Sequence, residues 1–153
     1  MRSLIITITL GLVLSCNTAM ALDNEFSFGI ATGSDSGVAV KYWTSDTHAL
    51  DFFAEWSTSS SKYTFQADYL THDFKTFEVE PGSLPFYYGI GVRVESKKGS
   101  STKTGMRIPL GISYLMETAP IDFFGELGPR IDVAPETDFE LDIMLGIRYR
   151  IMP

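Results

Sequence analysis

A chain of 153 residues, 44% of them apolar, has the size of a single domain. Its net charge of −7 excludes the basic face that nucleic-acid binding needs, and its single cysteine excludes an internal disulfide framework. Beyond residue 21 no run of 18 apolar residues occurs, so no helix is expected to cross a membrane.

Residues 1–21 read as a secretory signal peptide. Arg2 supplies the positive start, residues 4–14 an apolar stretch too short to span a bilayer, and Ala19-Met20-Ala21 a small-x-small cleavage site. The mature chain, 22–153, then has no cysteine. Without Arg2 it carries eleven of the 12 Lys and Arg residues against 19 acids, a net charge of −8. Val13-Leu14-Ser15-Cys16 also resembles a bacterial lipoprotein signal, in which Cys16 would bear an acyl anchor.

The rest is a succession of period-2 segments separated by turn residues, with no amphipathic helix. Eight strands are predicted. The first covers 25–32 and turns through Gly33 to Gly37. The second covers 38–44, with Lys41 on its polar face. The third covers 49–57, with Asp51 and Glu55 on the polar face and Leu50, Phe52 and Trp56 on the other. The fourth starts at Lys62 with Asp68 on the polar face. It continues through Phe77 and Val79 after a slip in phase at 72–74 that reads as a β-bulge.

The fifth covers 85–95, alternating Tyr88, Ile90, Val92 and Val94 with Gly89, Gly91, Arg93 and Glu95. A polar loop, 96–105, follows, carrying Lys97, Lys98 and Lys103. The sixth covers 106–116 and puts Arg107 on the polar face. The seventh covers 121–133, with Asp122, Glu126, Arg130 and Asp132 on that face. The eighth, 137–151, alternates with almost no error. Phe139, Leu141, Ile143, Leu145, Ile147, Tyr149 and Ile151 face one way; Asp138, Glu140, Asp142, Arg148 and Arg150 face the other. Pro109 and Pro129 fall inside strands, where each removes a ladder N–H and is expected to mark a bulge or an unpaired position.

A strand half-buried in a soluble core puts charge in water and apolar residues inside. Here the uncharged face is long and aromatic, and the charged face carries every mature arginine but few lysines. That is the pattern of a chain whose outer solvent is lipid. The expected fold is therefore all-β, an eight-stranded antiparallel up-and-down transmembrane β-barrel whose closure leaves no edge. Outward aromatics such as Tyr42, Trp56, Tyr63, Tyr69, Tyr88, Tyr114 and Tyr149 supply headgroup girdles.

Eight strands enclose only enough room for side chains. The expected interior is thus a plug of ion pairs: Lys41, Arg93, Arg107, Arg130, Arg148 and Arg150 against Asp51, Glu55, Asp68, Glu95, Asp122, Glu126, Asp132, Glu140 and Asp142. Glu126 with Glu140 or Asp142 could form an acid–base pair, but five arginines among the carboxylates favour structural salt bridges. No nucleophile–base pattern, metal spacing or phosphate loop is present. Neither His48 nor His72 sits in a His-x-Ser pattern, and His72 beside Asp73 is a weak hydrolase signal. No catalytic residue, cofactor or metal is expected.

Several stretches occur together in order: Lys41-Tyr42-Trp43 with Ala49-Leu50-Asp51; Ala67-Asp68-Tyr69-Leu70 with His72; Pro85 with Tyr87-Tyr88-Gly89-Ile90-Gly91; Arg107-Ile108-Pro109-Leu110-Gly111; Ala119-Pro120 with Asp122; and Thr137-Asp138-Phe139 with Gly146-Ile147-Arg148-Tyr149. In this order they resemble the small outer-membrane β-barrel domain family first recognised in spirochaetes, whose function is unassigned. The resemblance spans nearly the whole mature chain and implies an OmpA-like eight-stranded barrel with a secretion signal. It transfers no catalytic or ligand residue. Such barrels commonly end in an aromatic residue that insertion uses, and here the sequence departs from the family's pattern: it ends Tyr149-Arg150-Ile151-Met152-Pro153, so either Tyr149 serves in that place or insertion depends on other features.

The functional expectation is a non-enzymatic outer-membrane barrel with a structural or surface-interaction role. It would be a monomer in contact with outer-membrane lipid, with the 96–105 loop presented to an extracellular partner. A soluble periplasmic barrel binding a small apolar ligand, and a lipid-modifying barrel enzyme, are the rival readings.

Overall fold

A computed structural model describes residues 25–151, and the predicted signal peptide, its cleavage site and Cys16 lie outside the described residues. The chain forms nine antiparallel strands: β1 (Phe26–Gly33), β2 (Gly37–Trp43), β3 (His48–Ser57), β4 (Lys62–Asp73), β5 (Phe86–Lys97), β6 (Lys103–Arg107), β7 (Leu110–Leu115), β8 (Ile121–Ala134) and β9 (Asp138–Ile151). Sequence neighbours pair with one another, except β6 and β7, which follow one another along a single stave. β9 returns to β1 from Phe26↔Ile151 to Gly33↔Met144, which closes the sheet into an up-and-down barrel.

The nine strands make eight staves. β5 pairs with β6 through Gly91↔Arg107 and with β7 through Tyr88↔Leu110, and β8 also pairs with both. β6 and β7 are one stave broken at Ile108 and Pro109. The other mid-strand proline lies at the same break: Ile108 N–H donates to Pro129 O, and Gly89 N–H donates to Pro109 O. In an antiparallel ladder the N–H and C=O of one residue point the same way. The donors missing at Pro109 and Pro129 therefore fall on the two sides of a single stave, and its break adjoins both. A second irregularity lies between Thr104 and Gly105, where Val133 of β8 has no partner.

Alternation sets the two walls. Phe28, Ile30, Phe65, Ile90, Val92, Ile108, Ile112, Leu127, Leu141 and Leu145 are exposed on the outside, whereas Lys41, Asp68, Arg107, Asp122 and Arg148 are buried within. The fourth strand departs from the sequence expectation. No phase slip occurs at 72–74; Thr64, Gln66, Asp68, Leu70 and His72 all face inward, and β4 ends at Asp73. Asp73 stops it by accepting hydrogen bonds from Lys75 N–H and Thr76 Oγ1. The inward row keeps its phase because the end of the barrel nearest the termini is filled by Trp43, Ala49, Leu70 and Tyr87, so apolar residues there belong inside.

Four turns, 34–36, 58–61, 98–102 and 135–137, stand at the upper end of the barrel, opposite both termini. The longest connection, 74–85, lies at the lower end with the termini. A bridge between Ser83 and Leu115 and a hydrogen bond from Tyr114 OH to Pro81 O hold it there.

Candidate functional site: the charged barrel interior

The interior is organised around four arginines, each facing more than one carboxylate. In the lower half, Arg148 on β9 reaches Asp51 on β3 at 2.6 Å and Asp122 on β8 at 3.1 Å. Its guanidinium also lies 3.9 Å from the centre of the Phe124 ring. Arg107 on β6 reaches Asp68 on β4 and Glu126 on β8, both at 2.5 Å. Tyr87 OH donates to the other oxygen of Glu126 at 2.9 Å. Arg148–Asp51, Arg107–Asp68 and Tyr87–Glu126 tie together strands that are not neighbours in the sheet, whereas Arg148–Asp122 and Arg107–Glu126 join adjacent strands.

The upper half has a second group. Arg93 reaches Glu95 at 2.8 Å, approaches Asp142 at 3.8 Å and donates to Asp35. Arg130 donates to Glu140 and approaches Asp142 at 3.5 Å and Asp132 at 3.8 Å. Lys62 bonds Asp35 at 2.5 Å and lies 3.5 Å from Glu55 and 3.7 Å from Glu95. Lys103, half-exposed at the rim, lies 3.5 Å from Glu140. Between the two groups sit Ala31, Ala39, Phe53, Phe124 and Met144. A cavity of about 10 Å³ lies against this cluster, room for about one water.

Two of the predicted interior cations, Lys41 and Arg150, lie outside these two groups. Lys41 is fully buried, and its Nζ donates to His72 Nε2 at 2.7 Å. The Trp43 and Tyr87 rings lie 4.9 and 5.0 Å from it, where their faces attract a cation. His72 Nδ1 faces Thr47 O at 3.3 Å, which fixes the ring as the Nδ1–H tautomer. Arg150 closes the lower mouth, donating to Met116 O at 2.6 Å and Ala119 O at 3.4 Å, with Glu25 at 3.8 Å.

Sequence reasoning missed Asp35, Lys62 and the inward turn of His72. Asp35 lies in a turn between Gly33 and Gly37, and nothing local shows that its carboxylate folds back into the lumen. Burial raises the Asp35 pKa, but hydrogen bonds from Lys62 and Arg93 more than offset this and hold it below the usual carboxylate range.

Narrow glycines make room for the long side chains. A Cβ on Gly128 would lie 2.2 Å from Arg107 Nη2, and one on Gly91 would lie 1.7 Å from Asp68 Oδ1. Glu126 and Asp142 are held by different arginines, so their shared face does not make them an acid–base pair. Among the described residues, no three His, Cys, Asp or Glu side chains are grouped to hold a metal ion. The arrangement as a whole pairs most of the buried charges and fills the lumen.

Two solved structures share this fold. One is the N-terminal β-barrel domain of Pseudomonas aeruginosa OprF, with a TM-score of 0.55 and 14% identity over 85% of this chain and 98% of that one. The other is neisserial surface protein A (NspA), with a TM-score of 0.51 and 14% identity over 83% of this chain and 94% of that one. At such identity the likeness is one of fold. No family model and no curated protein matches the sequence.

Proposed function

We propose that this chain is a small, non-enzymatic outer-membrane β-barrel with a structural or surface-interaction role, its interior plugged by arginine–carboxylate pairs. The outer wall carries the reading. Along β9 seven successive outward positions, Phe139 to Ile151, are uncharged, and Phe139 (77%) and Leu145 (61%) are the most exposed of them. At about 3.3 Å per residue and a tilt of about 40°, that row rises about 30 Å, the thickness of a hydrocarbon core. A wall this apolar has no place in water, and a lumen this charged has no place in lipid.

In this reading the signal peptide is removed after Ala21, the termini lie in the periplasm and the upper turns face the cell exterior. The expected 96–105 loop narrows to a turn at 98–102, with Lys97 ending β5 and Lys103 opening β6 beside Glu140; Lys97 and Lys98 there are available to an extracellular partner, and the barrel is a monomer. The sequence resemblance favours the spirochaete-type domain family as its kin. A barrel for apolar ligands would need the apolar rows inside, and they are outside. A lipid hydrolase would need His72 at the wall, and it is turned inward onto Lys41.

Cell fractionation tests the reading. The protein is expected in the outer membrane and to migrate faster on a gel unheated than boiled; recovery in the soluble periplasm would reject it. Deletion of 97–104 is expected to leave insertion intact and to remove any binding that the loop provides.

A further inference from the structure

The barrel wall is uneven at its upper end. β8 and β9 stay paired up to Asp132↔Asp138, but β9 keeps β1 as a neighbour only up to Gly33↔Met144. Ser34 ends that ladder: its N–H donates to Ile143 O at 2.8 Å, and its Oγ accepts from Ile143 N–H at 3.0 Å. Above Ile143 one side of β9 is open.

Alternation decides which backbone groups lie on that edge. Those of Ile143 point to the β1 side, so those of Leu141 and Phe139 do too, while Glu140 and Asp142 point to β8. Asp138 Oδ1 takes the Phe139 N–H at 2.9 Å. Among the described residues, the Leu141 N–H, the Leu141 C=O and the Phe139 C=O have no partner. Acyl chains cannot satisfy such groups, whereas another backbone can. The flanking chemistry is two-sided. Phe139 and Leu141 present apolar surface outward, and Glu136 and Asp138 are exposed acids at the apex, above Glu140, which already pairs with Arg130 and Lys103. Just below, over the short β1–β2 hairpin, the outer wall has a hollow of about 730 Å³ lined by Ile30, Val38, Trp56, Leu145 and Ile147 among others.

We propose that the open upper edge of β9, residues 139–142, docks an extended polypeptide segment that alternates apolar and basic residues and adds as a strand antiparallel to β9. Main-chain hydrogen bonds to Leu141 and Phe139 hold the segment. Its apolar side chains continue the outer wall above the β1–β2 hairpin, and its basic side chains face the apical acids. The inference goes beyond the membrane assignment, because the edge is open whatever solvent surrounds the barrel.

The test uses the refolded full-length protein in lipid vesicles and a seven-residue peptide alternating valine and lysine. Controls are the same peptide N-methylated at alternate residues and a valine–glutamate version. The lysine peptide is expected to bind and to slow Leu141 amide exchange by at least about tenfold, and both controls to bind at least about tenfold more weakly. Leu141→Pro removes the edge donor while sparing the β8 ladder, since Leu141 faces Pro129 there. This variant is expected to keep heat-modifiable migration and lose the peptide. Should it fail to fold, the N-methylated peptide on the unmutated protein keeps the test decisive. Equal binding of all three peptides, unchanged Leu141 exchange, or a cross-linked dimer through Phe139→Cys would overturn the proposal. Loss of heat-modifiable migration in the unmutated protein would count against the membrane assignment instead.

Discussion

Arg148 shows why the interior charges are tolerated. Its guanidinium is fully buried, which is costly, but two carboxylates and the Phe124 face surround it. Removing it leaves Asp51 and Asp122 buried without their cation. Arg148→Ala is expected to destabilise the barrel by about 3–5 kcal/mol in urea unfolding from vesicles. Gly128→Ala acts on the same design through space. Its methyl displaces Arg107 from Glu126 and Asp68, and the expected loss is about 1–3 kcal/mol in the same assay. Asp35 adds a pH dependence of definite sign. Its carboxyl titrates below the usual range when folded, so its contribution is complete above that range and disappears as pH falls through the lowered value. Acidification below about pH 4 is expected to speed amide exchange in the 33–37 turn, and Asp35→Asn to abolish that acid response. The turn's geometry was illegible in the sequence, because a carboxylate between two glycines reads as a turn residue and its partners lie 27 and 58 positions away.

At the scale of the strands, most of the fold was legible. A period of two is a direct record of which side each residue takes, and the outer face of β9 could be read residue by residue. The record fails where both sides are apolar. Near the lower mouth Leu70 is buried inside the barrel, which makes an unbroken strand look as if it slips phase. The two prolines were legible as interruptions, but their meeting at one broken stave was not, since that depends on the register between staves. Outward positions on β9 should respond by depth. Leu145→Arg, near the middle of the apolar band, is expected to cost about 2–4 kcal/mol, and Phe139→Arg, at its upper rim, about 0–1 kcal/mol. Equal penalties would mean that the band does not sit across a bilayer.

For the whole molecule, closure and inversion are one fact. Pairing β9 with β1 removes the free edge along most of the wall, and a barrel of eight staves then has too little lumen for anything but side chains. The sequence fills that lumen with arginines opposite carboxylates and covers the outside with aliphatic and aromatic rows, the reverse of a soluble core. The most direct measurement is solvent accessibility of nitroxide labels on cysteines introduced singly at Ile90, Leu127 and Ile143, in protein reconstituted in vesicles. With the apolar rows in lipid, all three labels are expected to collide freely with oxygen and to be shielded from a water-soluble nickel chelate. Labels that the chelate reaches, or that packing protects from both reagents, would contradict that placement.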